Sequence, residues 1–526
     1  AHSKDIVVKR PKRRRTHHRV PTSYDSVWLL ESEYSGSSGT ITWGTRCRFQ
    51  LFGAQGHYLC LSEQTDAEQQ GNARGELRLM LTNDKHHVDT LFVFLPFGNK
   101  KGEDIAMGSY VRVQHARTRT YLHASTSASM QLIGADDRVR VAVCSQQLYF
   151  NDVFGVHAVA QSQVEIIGFV NKRRLGRIEE YVSRLRLRQP LSDSELNSTH
   201  SVLVDLIRFC TFPPPPDDDP LEMGGGIHIK PHQKVLGSPA VLALLLDAAT
   251  VPFANLATRR DVQAMLQRDM PVLFLTKLLW NLLARIALRN TANGTRLMRF
   301  LPRMLPFLGM EVGVERCLME IFRENTALLN ALSPAHIQQI MHMLFAHGAA
   351  LPNLEGLVLL QVLCSCEQGA LSNNQNAIVT CLLDDFPYVL VRSRLRHGQL
   401  QLCNADSVGR RLAAHRARSG AADSATGKVK KRWENLVDFT YDTELREHLV
   451  YYVHVLTLLA HLCLGRNYCA IAAVAALVRF EEAFTGLASD DLPYNVRAAY
   501  SQILLHCFVD CFPQRAADIQ LVWSVS

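Results

Sequence analysis

The sequence predicts a chain in two parts, an all-β module followed by a stacked helical solenoid of armadillo type, and three observations carry that prediction. Short runs rich in β-branched and aromatic residues, parted by Gly, Asn or Asp, fill residues 26–158. Beyond Val164 the apolar spacing becomes that of helices and remains so. With 526 residues and 47% hydrophobic content, the chain has material for more than one domain and for sizeable cores.

The expected strands are Val27–Leu30, Arg46–Leu51, Tyr58–Leu61, Glu76–Leu81, Thr90–Leu95, Tyr110–Gln114 and Tyr121–Ala124. Two pieces echo each other, CRFQLFGAQGHYLCL (Cys47–Leu61) and VRVQHARTRTYLHAS (Val111–Ser125). Each gives an alternating strand, a polar turn, then an aromatic followed by Leu. An internally repeated closed barrel, which hides its strand edges, fits that echo.

Helical patterning begins with Leu175, Ile178, Tyr181, Val182 and Leu185 on one stripe. Ser192 three positions before Glu195 then signals a capped helix start. Amphipathic segments recur at Val241–Leu246, Pro271–Leu288, Leu297–Leu308, Val314–Leu332, Ile337–Phe345, Leu357–Cys364, Ala377–Leu383, Leu445–Leu464, Cys469–Val478 and Tyr494–Val509. Met298, Met304, Met310 and Met319 fall on them and read as core filling.

The stretch Thr211–Leu236 interrupts the helices. Its PPPPDDDP and GGG cannot supply a buried face, so it reads as an exposed break. Lys230, His232 and Lys234 stand together just before the apolar run Val241–Leu246, which puts positive charge at the first turns of a helix. That array suits a polyanion such as an inositol phosphate or a nucleic-acid backbone, and it equally suits a solvated helix end.

The net charge of +8 is concentrated in Arg10–Arg19 and in Arg410–Arg432. The second block has the composition of a loosely ordered loop, and the first contains no aromatic interleaving of the kind nucleic-acid binding favours. Thirteen cysteines, among them Cys210, Cys317, Cys381, Cys463, Cys469 and Cys507 in apolar segments, read as reduced buried thiols. No run of about twenty apolar residues appears, and the N-terminus lacks a signal-peptide core and begins without Met, as a fragment of a longer protein would. No GxSxG, HExxH, P-loop or paired CxxC motif occurs, so neither an enzyme, a cofactor nor a metal site is expected.

GHYLCL (Gly56–Leu61) and SYVRVQHARTRTYLHAS (Ser109–Ser125) resemble the repeats of the MIR-type β-trefoil. FVNKRRLGRIEEYVSRLRL (Phe169–Leu187), KLLWNLLARIALR (Lys277–Arg289), FRENTALLNALSPAHI (Phe322–Ile337), LCSCEQGALSNNQNAI (Leu363–Ile378), RNYCAIAAV (Arg466–Val474) and DLPYNVRAAYSQILLHCFVD (Asp491–Asp510) resemble, in order, the armadillo-like RIH region of the inositol trisphosphate and ryanodine receptor superfamily. The likeness is nearer to the inositol trisphosphate receptor branch.

The resemblance implies a partial β-trefoil over residues 1–160, lacking its first strands, an RIH domain over 161–385, an irregular insertion over 386–433 and more helical solenoid over 434–526. It implies the cytosolic ligand-binding portion of a homotetrameric calcium-release channel of the endoplasmic reticulum or another calcium store. The pore would lie in the remainder of the polypeptide, and inositol trisphosphate or another polyphosphate would be the ligand. An armadillo scaffold for acidic protein or nucleic acid is the alternative, with nucleic acid the less expected partner. The family's two trefoil-loop arginines fall on Arg10 and Arg14, or on Arg15 in the adjacent register, and its basic helix falls on Lys230, His232, Lys234 and Gly237. A family Tyr-Arg-Lys triplet falls on Asn290, Thr291 and Ala292, leaving Arg289 and Arg296 as neighbouring cations. Weaker binding than at a full family site is therefore expected.

Overall fold

The computed structural model describes residues 7–8, 27–33, 41–52, 56–62, 77–96, 103–106, 108–131, 138–149, 152–156, 159, 161–170, 172–212, 219–221, 226–256, 259–345, 354–403, 433–441 and 445–511, in two compact units, Ala1–Ala254 and Asn255–Ser526. The basic block Arg10–Arg19, the proline run Pro213–Pro216 and the loop Arg410–Lys431 lie outside the described residues.

The large sheet of the first unit contains ten strands among the described residues: β1 (Val7–Val8), β2 (Trp28–Ser32), β3 (Arg46–Leu51), β4 (Tyr58–Leu61), β5 (Leu77–Thr82), β6 (Leu91–Leu95), β7 (Tyr110–His115), β8 (Tyr121–Gln131), β9 (Arg138–Ser145) and β10 (Phe154–Gly155). Pairing runs β3–β4–β5–β9–β8–β7–β6 and back to β3, all antiparallel, so the sheet closes on itself. Closure satisfies the backbone groups that an open edge would leave unpaired. The sequence echo is also a structural one, since Gln50 lies opposite Tyr58 and Gln114 lies opposite Tyr121. β9 is absent from the expected strands, yet it supplies the closing pairings. Alternating Val139, Val141 and Val143 is the signal that marks it.

Inward positions of the strands build the barrel core from Cys47, Leu59, Leu61, Leu79, Phe92, Phe94, Val111, Val113 and Cys144. Phe49 meets both Phe92 and Phe94 edge-on, with ring centroids 5.5 and 5.6 Å apart. The fully buried His115 places Nδ1 2.9 Å from Thr118 Oγ1 and Nε2 3.5 Å from Asp89 Oδ1, while Arg117 Nη2 donates to Asp89 Oδ2 at 2.6 Å.

Burial pulls the His115 pKa below its ordinary 6.5, outweighing the attraction of Asp89. The fold thus holds the ring neutral where the unfolded chain would protonate it, and stability from this site is complete above 6.5 and is lost as pH falls below that value. The thermal midpoint should drop between about pH 6.5 and 5, and His115→Gln, uncharged throughout, should flatten that part of the profile. An equally steep profile in the variant would exclude His115 as the source.

Helices follow from Gln161 onward. Lys172–Arg186 buries Leu175, Ile178, Tyr181 and Val182, the stripe seen in the sequence. Asp193–Cys210 starts at a complete capping box: Ser192 Oγ accepts from Glu195 N, and the Glu195 carboxylate accepts from Ser192 N at 2.9 Å. In the second unit, Met270–Ala287 packs on Val314–Phe322, Leu354–Cys364 on Arg446–Cys463, and Phe480–Ala488 on Tyr494–Ile503. A β-barrel followed by successive packed helices is the fold class the sequence predicts. Met270–Ala287 is, among the described residues, the one single helix long and apolar enough to cross a membrane, and 72% of it is buried inside the protein, as befits a core helix.

Several local readings differ, and one is the segment Val314–Leu332, which forms two helices, Val314–Phe322 and Thr326–Ala331. The segment Leu297–Leu308 is not one helix: Thr291–Met298 ends, and Pro302 and Pro306 sit at the starts of the short turns Leu301–Met304 and Leu305–Phe307, where their missing N–H costs nothing. The basic triplet does not open the helix containing Val241–Leu246; it forms its own helix, Lys230–Leu236, before Pro239–Thr250. Within 386–433, expected as irregular, Ser393–Arg396 and Gln399–Cys403 form a hairpin with Trp433–Asn435 as a third strand. His397 and Gly398 make its two-residue turn with φ of 50° and 75°, the conformation that matches strand twist. Cys469, expected to be buried, is exposed on the outer side of Tyr468–Leu477.

The motifs SNNQNAI and RNYCAIAAV meet in a buried amide network. Gln375 Nε2 donates to His461 O at 2.8 Å and Leu464 O at 3.1 Å, while Asn467 Nδ2 donates to Gln375 Oε1 at 3.2 Å and Asn376 Oδ1 at 2.9 Å. Asn374 Nδ2 donates to Leu329 O and Leu363 O. These amides satisfy carbonyls at helix C-termini, which have no partner within their own helix.

Candidate anion-binding site

Of the sequence-predicted site residues, Lys230, His232, Lys234 and Arg289 fall within the described residues, and Arg10, Arg14 and Arg15 fall outside them. The first three share the helix Lys230–Leu236, which the hairpin Thr211–Phe212 with Ile227–His228 leads into. Pro231 supplies a fixed φ in the first turn, and Gly237 N donates to Gln233 O at 2.8 Å to close the last. Gln233, Val235 and Leu236 are buried, anchoring the helix by its inner side. Gly237, the position of a family cation, is itself buried.

Residues four apart on a helix share a face, and the residue midway between them points away. Lys230 and Lys234 are accordingly both exposed, whereas His232 turns inward. Its ring stacks on Phe209 at 3.9 Å and 9°, and Nδ1 lies 2.6 Å from Phe209 O, which fixes Nδ1 as the donor. Phe209 stacks in turn on Phe169 at 4.4 Å, and the Arg174 guanidinium lies 3.8 Å over Phe169. Phe209, Phe169 and Arg174 escape a reading by sequence because their partners come from three separate helices.

Arg289 lies in the second unit, exposed, at a φ of 50° between Met270–Ala287 and Thr291–Met298. Asn290 caps the second of these helices by accepting from Asn293 N at 3.2 Å, and Asn293 Nδ2 donates to Ile286 O at 3.0 Å to finish the first. Asn290, the first position of the family triplet, and Asn293 just beyond it thus serve the helix junction. Arg296 Nη1 donates to Asn293 Oδ1 at 3.1 Å. Glu320 is held above the usual carboxylate range by burial, against the opposing pull of Arg323 and then Arg289.

The structure thus sets a β-barrel before successive helices, one of them a short helix with Lys230 and Lys234 exposed. Residues 200–395, which include that helix, match the family model for the RIH domain of ryanodine and inositol trisphosphate receptors. The chain is 23% identical over 537 residues to the inositol 1,4,5-trisphosphate receptor-like protein A of Dictyostelium discoideum, covering 89% of this chain and 15% of that protein. It is 22% identical over 437 residues to the inositol 1,4,5-trisphosphate receptor itr-1 of Caenorhabditis elegans, covering 78% of this chain and 14% of that one. The chain is thus similar to inositol trisphosphate receptors and spans about one-seventh of the length of these relatives.

Proposed function

We propose that this chain is the ligand-sensing region of an intracellular calcium-release channel, and that Lys230 and Lys234 hold phosphate groups of inositol trisphosphate or a related polyphosphate. The observation that supports this most is the exposed lysine pair on an anchored helix inside the RIH segment. Arg10, Arg14 and Arg15 add cations from the chain's first basic block, and Arg289 is a further candidate contact in the second unit. The whole protein would assemble as a homotetramer on a calcium-store membrane with this region on the cytosolic side. With Gly237, Asn290, Thr291 and Ala292 standing where the family carries other side chains, the affinity is weaker than that of a full family site.

Titration calorimetry with inositol trisphosphate at two ionic strengths tests the reading. Binding should be measurable at low salt and should weaken as salt rises, because exposed charges are screened within a Debye length of about 8 Å at physiological ionic strength. No heat at millimolar ligand would remove inositol trisphosphate as the ligand.

A further inference from the structure

We propose that His232 acts as a positioning residue that fixes Lys230 and Lys234, rather than as a contact to the anion; this rests on the lysine pair being the binding element. The column Arg174–Phe169–Phe209–His232 carries the inference. Phe169 and Phe209 are each the next-to-last residue of a helix, Gln161–Val170 and Asp193–Cys210. Carbonyls in a helix's last turn lack a partner within the helix and attract cations or strong donors.

Both ends of the column use that opening in the same way. Arg174 lies over the Phe169 ring and donates from Nη1 to Phe169 O at 2.7 Å. His232 lies over the Phe209 ring and donates from Nδ1 to Phe209 O at 2.6 Å. The rings between are nearly parallel, 8° apart, and Arg174 Nε also reaches Asp205 Oδ2 at 3.2 Å on the helix that carries Phe209. One stack therefore ties the short lysine helix to three longer ones. The helix Lys230–Leu236 has seven residues and no side-chain cap at its start, so this stack adds to the hold of its buried Gln233, Val235 and Leu236.

A direct role asks His232 to leave this arrangement. Turning toward a phosphate beside Lys230 and Lys234 would give up both the stack on Phe209 and the hydrogen bond to its carbonyl, and would bring the ring round to the opposite face of the helix. Held where it is, the imidazole orients the helix so that two flexible lysines start from fixed Cα positions, which lowers the ordering cost of binding.

Three variants separate the roles: His232→Leu, which loses the donor; Phe209→Leu, which loses the stack without touching His232; and His232→Asn, whose amide nitrogen can reproduce Nδ1. Inositol trisphosphate affinity by calorimetry and amide hydrogen exchange across residues 230–236 are measured for each. His232→Leu and Phe209→Leu should both weaken binding about tenfold, on the scale of one lost hydrogen bond, and should speed exchange in the helix. His232→Asn, which keeps the donor but gives up the ring stack, should fall between wild type and His232→Leu in both, with the same affinity profile between about pH 6 and 7.5 as wild type. A profile that steepens toward acid in wild type and vanishes in His232→Asn would overturn the proposal in favour of direct contact. Unchanged exchange in Phe209→Leu would overturn it as well. Should wild type show no heat, the exchange data still decide whether the column pins the helix, and the anion reading alone falls.

Discussion

The double variant Lys230→Ala, Lys234→Ala is expected to lose about two to four orders of magnitude in affinity for inositol trisphosphate, as two charge-assisted hydrogen bonds of about 1.5–3 kcal/mol each are removed at about 1.4 kcal/mol per tenfold. Its melting temperature should hardly move, because both side chains are exposed and the helix is anchored through Gln233, Val235 and Leu236 on its other side. Calorimetry beside a thermal scan checks both halves. Each single variant should fall between wild type and the double, and a double variant with wild-type affinity would place the anion elsewhere.

Gln375→Leu should destabilise the second unit by about 2–4 kcal/mol, since it leaves the carbonyl of Leu464 without its donor and takes an acceptor from Asn467 inside the fold. The substituted side chain is of similar size, so loss of volume contributes little and the cost is electrostatic. Urea unfolding of the chain would show it as a lower midpoint with an unchanged slope. A change under about 0.5 kcal/mol, the range of ordinary surface substitutions, would show that water replaces the amide without cost.

A third consequence of close packing lies nearby. Gly486 on Phe480–Ala488 faces Tyr500, and a Cβ added there would clash with the ring. Tyr500 cannot retreat freely, as its hydroxyl lies 2.9 Å from that of Tyr452 and both are fully buried. Gly486→Ala should therefore destabilise by about 1–3 kcal/mol, the usual cost of overpacking, instead of gaining helix propensity. A stabilised variant in the same urea experiment would mean that the two helices separate easily.

Much of the fold was legible because it depends on local periodicity. The strands from Arg46–Leu51 and Tyr58–Leu61 are bounded in the structure as alternation bounds them, and the Ser192 capping box needs only residues three apart. The switch from strand to helix spacing and the Gln–Tyr echo in the two hairpins are likewise properties of neighbouring residues. β9 was missed among the expected strands although its valines alternate, and its part in closing the barrel depends on β5 and β8 lying on either side of it, a long-range fact.

The sequence by itself determined that a β module precedes helices, and that Lys230, His232 and Lys234 stand together at a helix. Tertiary structure alone decided what each face meets. Phe209 and Phe169 come from helices separated from the lysines in the chain, and only their packing turns His232 from an apparent third cation into a stacked donor. The same holds for Asn290 and Asn293, whose amides finish helix ends on either side of Thr291 and Ala292, the positions on which the family's cations fall. The physical reason is that helix and strand periods are set by bonds between near neighbours, whereas a side chain's hydrogen-bond partner and ring contact are set by which distant segment the collapsed chain brings beside it.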